Sequence, residues 1–442
     1  VKILRFAAVG VAAALTLTAC GTGDDAGDTP SASNGTPEPA TIKLWLNGTD
    51  TPDALREYLV TTFETENPGS KLVIEEQDWS GLVPRLQTAL GSADQTPDVV
   101  EIGNTQSPTF TYAGAFADIT DMYDELGGEK LLQGFVDAGS ADGKFYAAPY
   151  YSGARAVFYN KDAFAAAGVE VPTTLADFTE VAKKLQSDTQ SGFWFPGQDW
   201  YNGAAWIYTN GGDLAVKDGD AWKGALSSPE SIKGLEEVQD LFANATNAPA
   251  DSDSNEPWVP FNAGQSAMFS APTWARWSID LPACNKAVDP DDTSDAAKAL
   301  RGEQQACNEE HTGVFPLPGL DEGSFANGFA GGSNIAVAAK SKHPELAKSL
   351  VRIIFTEEFQ NMLGENGLIP GNTAYSASMG DDVYAAAAVA AALNAKLTPA
   401  AEKWADVEGD RILEDFFQKL ATGADVKEAA AETDQLLEDA LN

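Results

Sequence analysis

Ten tryptophans stand in this chain, and several fall where a strand ends or a turn begins. Trp45, Trp79, Trp200, Trp274 and Trp404 are interleaved with side-chain amides (Asn47, Asn104, Gln106), a phenol (Tyr151) and a guanidinium (Arg155). That mixture suits recognition of a ring with an apolar C–H face and a hydroxyl rim. Flat indoles cover the face by burial and through their negative quadrupole. Amides, carboxylates and Arg satisfy the rim in donor and acceptor pairs. Mostly apolar walls with a few polar groups make the usual small-ligand site. For each aromatic the alternative is ordinary core packing.

Catalytic signatures are sparse. The two histidines, His311 and His343, fall in a loop or helix cap. The sequence holds no G-x-S-x-G elbow and no glycine-rich phosphate loop closed by Lys-Ser or Lys-Thr. Carboxylates are so common that no single pair points to glycoside hydrolysis, although a surface glycosidase stays open as an alternative. The formal net charge of -38 repels nucleic acid and anionic ligands. A neutral ligand, or a cation such as a polyamine, is compatible with it.

The elements that must position these groups alternate in type. Thr41–Leu46 reads as a strand and Asp53–Glu66 as a helix with Leu55, Leu59 and Phe63 on one face. Lys71–Glu75 is a second strand, Trp79–Leu90 a second helix, and Val99–Ile102 a short buried strand. This order argues for a largely parallel α/β sheet with helices on its faces. Ligands of such sheets sit beyond the carboxyl ends of the strands. The rule points to Asn47–Asp50, Gln77–Trp79 and Asn104–Gln106. The stretch Ala147–Asn160, AAPYYSGARAVFYN, is expected to carry the chain from one lobe to another along a cleft wall.

The chain begins with a short positive region, Lys2 and Arg5, and an apolar run from Phe6 to Leu17. That is an export signal, too short to span a bilayer as a lasting helix. Leu17-Thr18-Ala19-Cys20 matches a bacterial lipoprotein box, with Cys20 as lipid acceptor. Residues 21–40 are polar and rich in Gly, Pro, Ser, Thr and Asp, as a flexible tether would be. Cys284 and Cys307, exported together, are expected to form a disulfide. It would contribute about 3 kcal/mol by loop entropy. The acidic stretches at 251–256 and 289–295 read as solvated loops.

The lipobox, the tether, IKLWLNG and PDVVEIGNTQ are followed by APYYSGARAVFYNKDAFAAAGVEVPTTLADF and GGSNIAVAAKSKHPELAKSLVRIIFTEEF. In that order they resemble the family 1 extracellular solute-binding proteins of bacterial sugar ABC transporters, over essentially the whole mature chain. The resemblance implies a two-lobed, periplasmic-binding-protein-like (type II) α/β fold with the ligand cleft between lobes. One lobe would comprise 41–152 and 328–375, the other 153–327 and 376–442. It implies capture of a sugar without catalysis or cofactor, delivery to permease subunits, no nucleic acid, and a monomer held to the membrane only by its lipid. In similar proteins the Trp200–Trp206 stretch lines the sugar site, an aromatic in the place of Trp274 faces the cleft, and one in the place of Trp404 stacks. GNTQ and the FWFPGQDW turn are similar to relatives that bind chitobiose or N-acetylglucosamine; cello-, xylo- or malto-oligosaccharides are the runners-up.

Overall fold

The computed structural model describes residues 37–79, 81–253, 255–289 and 292–442. The expected export segment, the lipid-acceptor candidate Cys20 and most of the expected tether lie outside them. Ala40, at the tether's end, is already held: its N–H donates to Ser70 Oγ (3.2 Å) and its carbonyl accepts from Lys71 N–H (2.9 Å).

Alternation sorts the side chains of β1 (Thr41–Asn47): Ile42, Leu44 and Leu46 face one core and Trp45 the other. The helix α1 (Asp53–Glu66) buries Leu55, Leu59 and Phe63 on the first of these faces. It leads to β2 (Lys71–Gln77), and α2 (Leu82–Gly91) leads on to β3 (Val99–Gly103). The spacing predicts that α2 begins at Trp79; it begins three residues later, because Gly81 takes a left-handed φ of 71° at its entrance. β1 pairs in parallel with both β2 and β3.

The long strand β4 (Ala147–Asn160) organises the rest. Three later strands, β5 (Met268–Pro272), β6 (Thr312–Phe315) and β7 (Ala330–Val337), all pair with it antiparallel. β7 runs along its first half, Ala147–Ala154, while β5 and β6 flank its second half, Arg155–Asn160. The strand order is β6-β4-β7-β3-β1-β2. The sheet is therefore mixed, not largely parallel as predicted. Only β2-β1-β3 is parallel, joined by the crossover helices α1 and α2, whereas β7 enters beside β3 from the opposite direction.

Two principal cores flank β4. The first packs both faces of the β1–β3 region, against α1 and the helix Pro344–Ile354 on one side and α2 on the other. The second gathers the helices Leu175–Leu185, Trp200–Thr209, Pro229–Asn244, Ile412–Ala421 and Val426–Leu441 around Trp206, Phe416 and Phe417. Val157 of β4 belongs to this core, and Ala148 and Tyr151 to the first. The architecture is two-lobed mixed α/β.

Two local expectations change or gain detail. Trp200-Tyr201-Asn202, read as a turn, is the first turn of a helix, because Asp199 caps it by accepting from Asn202 N–H (3.1 Å). Cys284 and Cys307 form a disulfide with a Cα–Cα distance of 5.6 Å, tying the helix Asp295–His311 to the segment after β5. The acidic residues Asp251, Asp253, Glu256, Asp289, Asp292 and Asp295 are exposed.

Candidate functional site

A cavity of about 420 Å³ opens where β4 passes between the two cores. Thr49, Asp50 and Pro52, from the loop after β1, and Trp79, after β2, form one wall. Pro272, Trp274 and Trp277 form the opposite wall. Tyr151, Gly153 and Arg155 of β4, with Gly331 and Gly332 of β7, make the floor, and Asn366 and Leu368 close one end. Gly332 has φ 130°, and a Cβ there would stand 2.3 Å from the Tyr151 carbonyl oxygen, so only glycine lets the two floor strands approach this closely.

Of the ten candidate ligand contacts, Trp79, Tyr151, Arg155 and Trp274 line this cavity together. Trp79 is 38 % exposed and Trp274 half-buried, which leaves ring surface for a guest. Trp274 is steadied edge-on by Trp258, with ring centroids 5.5 Å apart. The Arg155 guanidinium lies 5.7 Å from the centre of the Tyr201 ring, which in turn stacks on Trp200 at 4.0 Å.

The other six stand back from it. Trp45 is buried on the α2 side of β1, its Nε1–H donating to Glu75 Oε2 (2.8 Å). Trp200 and Trp404 are almost wholly buried in the second core, as is Trp206. Asn47 and Asn104 are buried structural amides: Asn47 Nδ2 donates to the Glu101 carbonyl (3.1 Å) and Asn104 Nδ2 to the Ala330 carbonyl (2.8 Å). Gln106 lines a second cavity of about 660 Å³, between α2 and the helix Trp404–Gly409. Its Nε2 donates to Glu408 Oε2 (2.6 Å), and Trp404 Nε1–H donates to the other oxygen of that carboxylate (3.2 Å). Burial, opposed by these donors, raises the Glu408 pKa. Trp79 lines both cavities and so stands between them.

Two residues at the first cavity and one buried behind it were not singled out from sequence. Trp277 is 53 % exposed and lies three residues after Trp274 in the 3-10 helix Thr273–Ser278. Three residues per turn place both indoles on one edge, so W-x-x-W was the available signal. Asp50 lies in a segment that the strand-end rule marks. It is at the exposed rim, yet protein crowds its carboxyl: Oδ2 accepts from Trp79 Nε1–H (3.0 Å) and lies 3.3 Å from the Tyr151 hydroxyl. This crowding raises the Asp50 pKa, against the pull of Trp79, Tyr151 and Arg56. Glu101 is a lone carboxylate within the apolar strand β3, a position that needs partners. It is fully buried; Oε2 accepts from Asn47 N–H (2.8 Å) and Oε1 from the Tyr151 hydroxyl (3.0 Å). Burial pushes its pKa up to about 7, opposed by the Ser333 hydroxyl and the Asn47 N–H and reinforced by the nearby Asp50 charge.

Residues 47–361 match the family model described as bacterial extracellular solute-binding protein. The diacetylchitobiose binding protein DasA of Streptomyces coelicolor is 32 % identical over 413 residues, covering 91 % of this chain and 90 % of that one. The sugar-binding protein MalE of Xanthomonas citri superposes with a TM-score of 0.74 at 21 % identity, covering 91 % of this chain and 97 % of that one. The GacH receptor of Streptomyces glaucescens, solved unliganded and with acarbose, gives 0.71 at 20 % identity, over 91 % of this chain and 98 % of that one. The fold they share with this chain is the two-lobed type II arrangement.

Proposed function

The chain belongs to the bacterial extracellular solute-binding proteins of sugar ABC transporters, and we propose that within this family it captures N,N'-diacetylchitobiose or N-acetylglucosamine. One observation carries the reading. A cavity walled by Trp79 on one side and by Trp274 and Trp277 on the other offers flat apolar faces, while Asp50, Arg155 and Asn366 supply acceptors and donors for a hydroxyl and amide rim. Cellobiose, xylobiose and maltose are the competing guests. The extent of DasA's similarity favours the chitin-derived disaccharide.

One wall comes from the loops after β1 and β2 and the other from the segment after β5, so a guest that touches both favours a closed arrangement. Residues 41–152 with 328–375 make one lobe and 153–327 with 376–442 the other. The closed form docks on permease subunits. The chain acts as a monomer, exported and held to the extracytoplasmic face of the membrane through lipid on Cys20. Among the described residues no helix is long and apolar enough to cross a membrane.

It is a carrier, not a hydrolase. Glu101, the carboxylate nearest Asp50 along the Tyr151 hydroxyl, is fully buried behind that ring, which supports binding over hydrolysis. Titrating intrinsic Trp fluorescence against a panel of these sugars and a polyamine tests the proposal. A saturable change with diacetylchitobiose, and intact sugar recovered afterwards, supports it. A response to the polyamine alone, or release of new reducing ends, refutes it.

A further inference from the structure

The Tyr151 hydroxyl has one proton and two carboxylate oxygens within reach, Glu101 Oε1 at 3.0 Å and Asp50 Oδ2 at 3.3 Å. It cannot donate to both. If Glu101 is ionised, the closer and fully buried acceptor takes the proton, and among the described residues Asp50 keeps only Trp79 as a donor. If Glu101 is neutral, its own O–H can donate to the Tyr151 oxygen, and the phenol proton is released to Asp50. In that state Trp79 and Tyr151 both hold Asp50 Oδ2, and Oδ1 has no protein donor among the described residues.

We propose that Glu101 is a positioning residue for the ligand: in its protonated form it donates to Tyr151, Tyr151 donates to Asp50, and Asp50 Oδ1 accepts from a hydroxyl or amide N–H of the sugar. This rests on the sugar-binding reading above. The geometry is a three-member chain from the interior of β3 to the cavity wall, Glu101 to Tyr151 to Asp50.

The charged and titratable groups around Glu101 favour this assignment. From the loop after β1 comes Asp50, a like charge; from β4 come Tyr150 and Tyr151, both held neutral by burial. From β7 comes the neutral Ser333. Arg56 of α1, the cation that acts on Asp50 and Tyr150, is already engaged by the Thr51 carbonyl (2.8 Å), the Gly48 carbonyl (2.5 Å) and Glu76 (2.9 Å), and Arg155 of β4 lines the same cavity. A sugar laid over Asp50 lowers the dielectric on its solvent side. Two carboxylates joined by one phenol then repel more strongly, and the buried one is the one that takes up a proton. Binding and proton uptake at Glu101 are thereby linked, and its pKa of about 7 places the effect in the neutral range.

The experiment is calorimetric titration of the exported chain with diacetylchitobiose from about pH 5.5 to about 8.5, in buffers of different ionisation enthalpy. For wild type, affinity holds below about pH 7 and falls roughly three- to tenfold per unit above it, with net proton uptake near neutrality. In Glu101→Gln the amide mimics the neutral acid, so affinity stays at the wild-type low-pH level across the range and proton uptake vanishes. Tyr151→Phe cuts the chain: affinity at low pH drops to the wild-type high-pH level and the slope disappears. A wild-type affinity that is flat with pH while binding saturates overturns the inference and leaves the sugar reading standing, as does a wild-type slope retained in either variant. Absence of sugar binding at every pH overturns the reading itself, and the inference with it.

Discussion

Replacing Trp79 by Ala isolates the contribution of one wall. The ring is 38 % exposed, belongs to none of the main cores, and is fixed by a single donor bond to Asp50 at 3.0 Å. If a sugar covers about 100 Å² of its face, then at about 25 cal/mol per Å² its loss removes about 2.5 kcal/mol. That is roughly a 70-fold rise in Kd. Loss of the indole N–H also leaves Asp50 less well held, which adds to the effect. The fold should hardly notice, with a thermal midpoint within about 3 °C of wild type. Calorimetry with diacetylchitobiose gives the Kd, and thermal unfolding without ligand gives the control. A variant that folds normally and binds within about twofold of wild type would show that Trp79 is not a wall of the site.

Trp206→Ala should do the reverse, because Trp206 is 1 % exposed within the second core. It should lose about 3–5 kcal/mol of stability, read by chemical denaturation. Glu101 has its pKa raised from 4.5 to about 7 on folding, so between those values the native state binds more protons than the unfolded one. Stability should fall by about 3 kcal/mol as pH rises through that window and stay level above it, and Glu101→Gln should remove that decline. Gly332→Ala puts a Cβ 2.3 Å from the Tyr151 carbonyl oxygen at φ 130° and should lower both stability and affinity, checked by melting and titration. Reducing the Cys284–Cys307 bridge should lower stability by about 3 kcal/mol, measured by denaturation with and without a dithiol.

Much of the scaffold was legible because short-range pattern decides it. The strand at Thr41, the stripe Leu55-Leu59-Phe63 and the long segment from Ala147 all follow from periodicity and from where Pro and Gly fall. Strand direction was not legible: nothing in the composition of β7, AGGSNIAV, marks its direction, and only its pairing with β3 and β4 shows it to be antiparallel. The aromatics divide on one question that sequence does not answer, which is what covers them. Trp45 alternates correctly for a strand, but α2 lies over its side of the sheet. Trp200 and Trp404 begin helices, where an open face is plausible, yet neighbouring helices close over both. Trp79 and Trp274 follow strand ends that open on the cavity. Trp277 needed the three-residue period of a 3-10 helix, and Glu101 needed its odd charge within an apolar strand to be taken as a clue.

The proposed function depends on an uncharged, hydroxyl-rich guest held between the two aromatic walls. Saturation-transfer NMR on the sugar, with wild type and with a Trp79→Ala, Trp274→Ala double variant, tests this most directly. The prediction is strong transfer to the ring C–H protons of diacetylchitobiose with wild type and its loss with the double variant. Equal transfer with both proteins, or none with either across the whole sugar panel, would contradict it.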